Sequence, residues 1–310
     1  MSNYARFFLT LLGIWAGVAS AADVNLRSET AHVNGVDVHY LIAGTGEPVV
    51  LIHGYVETSQ MWRPLIAELA QTHLVIAPDL RGIGGSSVTD TGYDKVSMAG
   101  DIHALVGKLG FKKATIIGHD VGLMVAYAYA ASWPQEVSRL ALLDAPIPGI
   151  GPEWDLVLAN PQLWHFHFVN SPIALDLVTG RERLFFDHFW MRFGTDSNAV
   201  KERDKTLYAE TYAKPGSMKA GFEWFRAFPK DAQDNRAFAA AGKLKMPLLT
   251  IAGEKSMGDS LGAQAGRVAE NIHSIILPGA GHWLMEERTG EVVRLLSEFV
   301  RGGISSAPVR

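Results

Sequence analysis

The sequence predicts an α/β protein with a mostly parallel sheet, flanking helices and an inserted helical segment. Short apolar runs alternate with helical patterns up to Asp144, and this alternation is typical of βαβ units. Residues 148–245 carry aromatic side chains at helical spacings, and strand-like runs return only afterwards. We therefore expect a core of residues 22–147 and 246–310, and a helical cap over 148–245.

The strands are predicted from two kinds of pattern. Asn34-Gly35 separates the short runs 31–33 and 36–42, which indicates a β-hairpin. Continuous apolar runs indicate strands that are buried on both faces, as in a parallel sheet. These runs cover residues 48–52, 74–77, 114–117, 140–143, 247–252 and 272–277.

The helices are predicted from apolar residues at intervals of three and four. They lie between the apolar runs, which is the order that a parallel sheet requires. In the core they cover residues 62–69, 96–109, 120–131 and, after the last strand, 287–300.

The composition excludes several classes of function. The chain has 310 residues, of which 48% are hydrophobic and 19% charged, so it is expected to fold around a large core. Its 28 Lys and Arg against 32 Asp and Glu give a net charge of −4, which argues against nucleic acid as a partner. Without cysteine the chain has no disulfide, thiolate metal site or cysteine nucleophile.

The N-terminus is interpreted as a signal peptide covering residues 1–21. Arg6 precedes an apolar stretch over 7–18 that is too short to span a bilayer, and Ala19-Ser20-Ala21 is a small-x-small cleavage pattern. An uncleaved amphipathic helix or membrane anchor is the competing interpretation. We expect a bacterial protein that is secreted or periplasmic, without a membrane anchor after processing.

The most informative stretch is Ile-Ile-Gly-His-Asp-Val-Gly at residues 116–122. A buried strand runs into two glycines that flank Asp120, and a helix follows. This pattern is typical of the sharp turn that lifts a nucleophile above a sheet. The competing interpretation is a surface turn in which Asp120 caps the helix.

Two further loops, each following a predicted strand, support the first interpretation. His53-Gly54-Tyr55 is placed to donate the Tyr55 backbone N–H to an oxyanion, and the second N–H would come from Val121. His282 lies in the glycine loop 279–283, from which it can reach Asp120 as a general base.

With these motifs the chain resembles the α/β-hydrolase superfamily, and within it the epoxide hydrolases and dehalogenases that use an Asp nucleophile. Stretches of the cap at 163–166, 212–215 and 222–223 share the resemblance. The resemblance implies that Asp120 forms an alkyl ester and that His282 activates the water that hydrolyses it. It also implies an acid that orients His282, for which we expect Asp144, with Asp259 in the later loop as the alternative.

The resemblance also concerns the residues that donate hydrogen bonds to the leaving oxygen of the epoxide. It implies that His165 hydrogen-bonds an epoxide oxygen and that a cap tyrosine is the second donor. This chain has Phe225 at the tyrosine position. Substitute donors considered from the sequence are Trp224, Tyr208, Tyr212 and His167. The substrate pocket is expected to include Trp224, Phe225 and Phe166.

Three functions are compatible with these residues. The first is hydrolysis of a small neutral apolar epoxide to a vicinal diol, without a cofactor or a metal. The second is release of halide from a neutral haloalkane by the same Asp and His chemistry; Val121 stands where haloacetate dehalogenases carry Arg, which disfavours a haloacid. The third is a secreted interaction protein with a vestigial pocket. The sequence leaves a homodimer open.

Overall fold

In the computed structural model, which describes residues 24–196 and 198–304, eight strands form one sheet. The predicted signal peptide lies outside the described residues. The spatial order of the strands is β1-β2-β4-β3-β5-β6-β7-β8. The strands are β1 Arg27–Val33, β2 Val36–Ala43, β3 Pro48–Ile52, β4 Leu74–Pro78, β5 Ala114–His119, β6 Val137–Leu143, β7 Leu248–Gly253 and β8 Ile272–Leu277.

The predicted hairpin and parallel sheet are confirmed. β1 and β2 pair antiparallel through a turn in which Asn34 and Gly35 both have positive φ, at 49° and 74°. This is the conformation that an Asn-Gly hairpin turn adopts. β2 joins β4 antiparallel, and every pairing from β4 to β8 is parallel.

The central strands are buried on both faces. In β3, Val50 and Ile52 pack toward one helical layer, while Val49 and Leu51 pack toward the other. This is why the strands read as continuous apolar runs. The core helices are α1 Arg63–Leu69, α2 Lys95–Lys108, α3 Val121–Ser132, α11 Asp259–Val268, α12 Leu284–Glu287 and α13 Thr289–Val300.

The C-terminal helix differs from the prediction of one helix over 287–300. The short α12 ends at Glu287, and α13 begins at Thr289. Arg288 between them has φ −134° and ψ 38°, which is outside the helical range. The chain therefore turns once after the loop of His282 before its last helix.

The described residues between β6 and β7 contain helices and no strand. Aromatic side chains of these helices, among them Phe186, Trp190 and Phe222, join the core cluster of the sheet domain. These helices are α4 Gly151–Ala159, α5 His165–Phe168, α6 Ala174–Val178, α7 Glu182–Phe193, α8 Glu202–Tyr212, α9 Ser217–Arg226 and α10 Phe228–Ala241.

A buried ion pair fastens this helical cap to the sheet domain. Lys95, in the first turn of α2, donates from Nζ to Asp231 Oδ2 of α10 at 2.7 Å and to the Trp224 carbonyl of α9 at 2.5 Å. Both charged side chains are at most 1% exposed. The pair therefore links α2 of the sheet domain to α9 and α10 of the cap, and its further hydrogen bonds satisfy the buried charges.

Candidate active site

Asp120 occupies a strained turn between β5 and α3. Its φ of 52° and ψ of −124° are sparsely populated by non-glycine residues. The turn brings the backbone close to β3, and the glycines that flank Asp120 leave room for this approach. A Cβ on Gly122 would lie 2.2 Å from the Ile52 carbonyl oxygen, and one on Gly118 would lie 2.1 Å from the Gly122 carbonyl oxygen. The predicted glycine pattern thus corresponds to two real steric requirements.

The two carboxylate oxygens of Asp120 have different surroundings. Oδ2 accepts a hydrogen bond from the Tyr55 backbone N–H at 2.8 Å. Oδ1 lies 3.9 Å from His282 Nε2. Val121 begins α3, so its N–H has no acceptor within the helix and is aligned with the helix dipole. Oδ1 is therefore the oxygen that remains available to attack.

His282 is oriented by Asp144. Its Nδ1–H donates to Asp144 Oδ2 at 2.8 Å, and Asp144 Oδ1 accepts from the Gly253 N–H at 2.8 Å. With Nδ1 as donor, Nε2 carries the lone pair that faces Asp120. Asp144 is fully buried at the end of β6, whereas Asp259 begins α11. Of the two acids considered from the sequence, the structure brings Asp144 to His282.

A cavity of about 360 Å³ opens between these residues and the cap. Its lining includes Asp120, His282, His165, Phe166 and Phe225, so the structure brings most of the predicted site residues together. Leu156 also lines it and is 70% exposed, which marks the side where the cavity reaches the surface. Aromatic walls of this kind suit a small apolar substrate.

His165 lies on the cap side of this cavity and is 6% exposed. Its Nδ1 is buried without a hydrogen-bond partner among the described residues. Burial, with a smaller contribution from the neighbouring His282 and His188, lowers the pKa of His165 to about 3. The imidazole is therefore neutral at ordinary pH and offers one N–H donor.

Trp224 does not line the cavity, which corrects the expected pocket. It is fully buried, and its Nε1 donates to the Arg81 carbonyl at 3.3 Å. Phe225, the next residue on α9, faces the cavity instead. Successive helical side chains point about 100° apart, and on α9 it is Phe225 that faces the cavity.

The other donors considered from the sequence are also outside the described lining of the cavity. The Tyr212 hydroxyl accepts the Val56 N–H at 3.1 Å, and His167 hydrogen-bonds the Leu158 carbonyl. Tyr208 is buried within the cap. The expected substitute for the missing tyrosine is therefore not found among Trp224, Tyr208, Tyr212 and His167.

Sequence reasoning missed a buried ionic pair behind the nucleophile. His119 donates from Nδ1 to Glu57 Oε2 at 3.0 Å and from Nε2 to the His282 carbonyl at 2.9 Å. Burial lowers the pKa of His119, but Glu57 outweighs it and raises the pKa to about 10. The imidazolium thus holds the backbone of His282. The sequence signal for this pair is that His119 lies within the nucleophile motif at 116–122 and Glu57 lies two residues after the His53-Gly54-Tyr55 motif.

The Glu286 carboxyl also lies near the Glu57–His119 pair. Although part of Glu286 reaches the surface, its Oε2 is buried and has no partner among the described residues. Burial and the nearby Glu57 carboxylate raise the pKa of Glu286 to about 8. The group is therefore largely protonated at neutral pH, which keeps the net charge around Glu57 and His119 low.

Residues 24–196 and 198–304 contain no group of three or more His, Asp and Glu side chains arranged for a metal ion. No helix in this part of the chain has the length and apolar character needed to cross a membrane.

An acid on a nucleophile turn, a histidine with its own acid and a backbone N–H on the nucleophile define a hydrolase of the α/β type. Comparison with known proteins agrees. The family model of the α/β hydrolase fold matches residues 47–289, and the chain belongs to this family.

Relatives with this fold include epoxide hydrolases and a dehalogenase. The soluble epoxide hydrolase of Corynebacterium sp. (strain C12) is 34% identical over 276 residues, covering 87% of this chain and 95% of the relative. The fluoroacetate dehalogenase of Burkholderia sp. is 28% identical, covering 88% and 94%. The structure of the Cif epoxide hydrolase from Acinetobacter nosocomialis aligns with a TM-score of 0.80 at 27% identity, covering 89% of each chain. The resemblance to epoxide hydrolases and dehalogenases is thereby confirmed.

Proposed function

We propose that this hydrolase opens small apolar epoxides to vicinal diols through an ester on Asp120. The observation that carries the proposal is the arrangement of the Asp120 carboxylate. One oxygen is held by the Tyr55 N–H, and the other is free beside His282 Nε2. The 34% identity to a soluble epoxide hydrolase supports the choice of substrate.

In the first half-reaction, Asp120 Oδ1 attacks a ring carbon of the epoxide. The new bond is a carbon–oxygen ester bond, and the electron pair of the broken ring bond goes to the epoxide oxygen. His165, on the cap side of the cavity, donates its N–H to that oxygen. Because His165 is neutral at ordinary pH, it donates a hydrogen bond and carries no formal charge.

In the second half-reaction, His282 Nε2 takes a proton from water, and the water oxygen attacks the carboxyl carbon of Asp120. The Tyr55 and Val121 N–H groups stabilise the oxyanion, and the loss of one such donor typically costs about 10²- to 10³-fold in rate. Asp144 holds His282 in the required tautomer throughout. Collapse of the intermediate releases the diol and restores the carboxylate.

The second candidate function is release of halide from a neutral haloalkane. It is favoured by Phe225, because a halide needs fewer proton donors than an alkoxide, and by the 28% identity to a fluoroacetate dehalogenase. Val121 provides no cation beside the nucleophile for a substrate carboxylate. A purely vestigial pocket is disfavoured, since Asp120, His282 and Asp144 are mutually oriented. Secretion through the signal peptide remains part of the proposal.

Intact-mass spectrometry of the His282→Gln variant tests the covalent step. With a panel of neutral epoxides the variant is expected to gain the mass of one substrate, because it can form the ester but cannot hydrolyse it. The matched control is Asp120→Ala in the same background, which is expected to show no adduct. An adduct that persists in the control rejects Asp120 as the nucleophile.

Diol and free halide are measured in parallel for the wild-type protein with matched epoxides and haloalkanes. Diol release supports the epoxide hydrolase. Halide release without any diol gives the dehalogenase in its place.

A further inference from the structure

The cap wall lacks a hydroxyl where one is needed most. Phe225 lies beside His165, with ring centroids 5.5 Å apart, and therefore occupies the position next to the one assigned donor. A single imidazole N–H leaves the developing alkoxide with one hydrogen bond. General acid catalysis at such an oxygen is typically worth about 10²- to 10⁴-fold, so a second donor in reach would matter.

The ring of Tyr55, which carries a hydroxyl, lies directly beside Phe225. The two rings meet edge to face with centroids 4.8 Å apart, and both residues line the cavity. The Tyr55 ring passes from the nucleophile loop into the cap, where it contacts Phe186, Phe189 and Tyr212. Its backbone N–H donates to Asp120 Oδ2, so the residue is anchored beside the nucleophile.

The Tyr55 hydroxyl has no hydrogen-bond partner among the described residues, although the side chain is only 4% exposed. A buried hydroxyl without a partner lowers the stability of the folded state. Burial, with the Asp120 carboxylate adding to it, raises the pKa of this hydroxyl well above the usual tyrosine value. The group therefore keeps its proton and is a donor that lacks an acceptor.

Other unpartnered donors at the cavity are placed differently. The His165 Nδ1 is the donor already assigned. The Trp283 Nε1 is also unpartnered among the described residues, but the Trp283 ring packs edge to face against His282 at 4.7 Å and approaches Gly194. Trp283 thus belongs to the side of the cavity where the base acts, whereas Tyr55 adjoins Phe225.

We propose that the Tyr55 hydroxyl is the second donor to the epoxide oxygen. It takes the role of the cap tyrosine whose position is occupied by Phe225 in this chain. This inference rests on the proposed function. Asp120 Oδ1 bonds to the ring carbon, the ring carbon–oxygen bond breaks, and the oxygen receives the Tyr55 proton. Water supplies two protons during hydrolysis. His282 passes one to the departing diol oxygen, and the other, from the restored Asp120 carboxyl group, returns to Tyr55.

The Tyr55→Phe variant tests the proposal because it removes the hydroxyl and keeps the backbone N–H. In the His282→Gln background, ester formation is expected to slow about a hundredfold, as for loss of one transition-state donor. The melting temperature is expected to rise, because a buried unpartnered hydroxyl is removed. Ester hydrolysis, measured with His282 intact by rapid quench, is expected to be unchanged.

Tyr129→Phe is the matched control. The Tyr129 hydroxyl is likewise buried and unpartnered among the described residues, but the side chain lies on α3 against His103 and Trp133. Its removal is expected to raise the melting temperature and leave ester formation unchanged. Ester formation at the wild-type rate in Tyr55→Phe would overturn the inference and leave the proposed function standing. No ester in the His282→Gln parent would instead reject the proposed function.

The Phe225→Tyr substitution provides a second, independent measurement. In the Tyr55→Phe protein it is expected to restore most of the lost rate, because it returns a hydroxyl beside His165. In the otherwise unchanged chain it is expected to add less than about tenfold, since His165 and Tyr55 already supply two transition-state donors. A gain of about a hundredfold there would show that the site lacks a second donor, which contradicts the role of Tyr55.

Discussion

The two walls of the cavity differ in how their polar atoms are satisfied. On the sheet wall, Asp120, His282 and Asp144 hold one another and the backbone through hydrogen bonds. On the cap wall, the His165 Nδ1 and the Tyr55 hydroxyl are buried without partners among the described residues. The sheet wall is therefore organised before substrate arrives, whereas the cap donors are satisfied only by the substrate. Interactions of the second kind favour the transition state over the free enzyme.

The sheet wall can be disrupted most strongly at Asp144. Asp144→Asn is expected to lower kcat about 10⁴-fold by slowing ester hydrolysis, because Asn cannot hold His282 in the tautomer that leaves Nε2 free. Steady-state diol release measures the loss, and circular dichroism checks the fold. Asp259→Asn is the control and should be within about twofold of wild type, because Asp259 begins α11 and does not contact His282. Comparable losses in both variants would show that Asp144 does not act through His282.

The cap wall is tested by His165→Ala, with a smaller effect. Ester formation is expected to slow about a hundredfold and ester hydrolysis to stay unchanged, because the donor acts on the leaving oxygen alone. Rapid-quench measurement of adduct and diol separates the two steps. Since the pKa of His165 is about 3, the loss should be the same at every pH from about 6 to 9. A loss confined to hydrolysis would move His165 to the other half-reaction.

Glu286 is an exception on the sheet side, and its removal should have the smallest effect. Its pKa is raised from 4.5 to about 8, so the folded state binds the proton more tightly than the unfolded state. Stability from this group is full below pH 4.5 and is lost as the pH rises toward 8. Glu286→Gln should therefore lie closest to wild type near pH 5 and exceed its melting temperature increasingly up to about pH 9.

Melting temperatures of wild type and Glu286→Gln at about pH 5, 7 and 9 measure this difference. Glu270→Gln is the control, because Glu270 is exposed. A difference between Glu286→Gln and wild type that does not vary with pH would contradict the shifted pKa.

The sheet wall was largely predictable from the sequence because short-range rules determine it. A buried strand followed by Gly-x-Asp-x-Gly has few ways to turn, and this turn positions Asp120. Asp144 follows β6 and His282 follows β8, and although β7 lies between them, the carboxyl ends of these parallel strands share one edge of the sheet. The choice between Asp144 and Asp259 needed the structure, since both acids lie at that edge.

The cap wall was less predictable because long-range packing determines it. Whether Trp224 or Phe225 faces the cavity depends on the rotation of α9, which the buried bond from Lys95 to the Trp224 carbonyl helps to fix. Lys95 and Asp231 are 136 residues apart in the chain, so no local pattern signals their contact. Tyr55 was expected only for its backbone N–H, because nothing in the motif shows that its ring reaches Phe225.

The buried Lys95–Asp231 pair also has a consequence for how substrate and product enter and leave the cavity. Separating it would leave each charge unpaired in an apolar interior, which typically costs several kcal/mol. We therefore expect the cap to remain seated during turnover and molecules to use the standing entrance beside Leu156. An entrance of fixed width acts as a sieve. The width of a substrate would then decide whether it can enter the cavity, whatever its reactivity. A smaller side chain at Leu156 would widen the entrance and broaden the range of substrates without altering the catalytic residues.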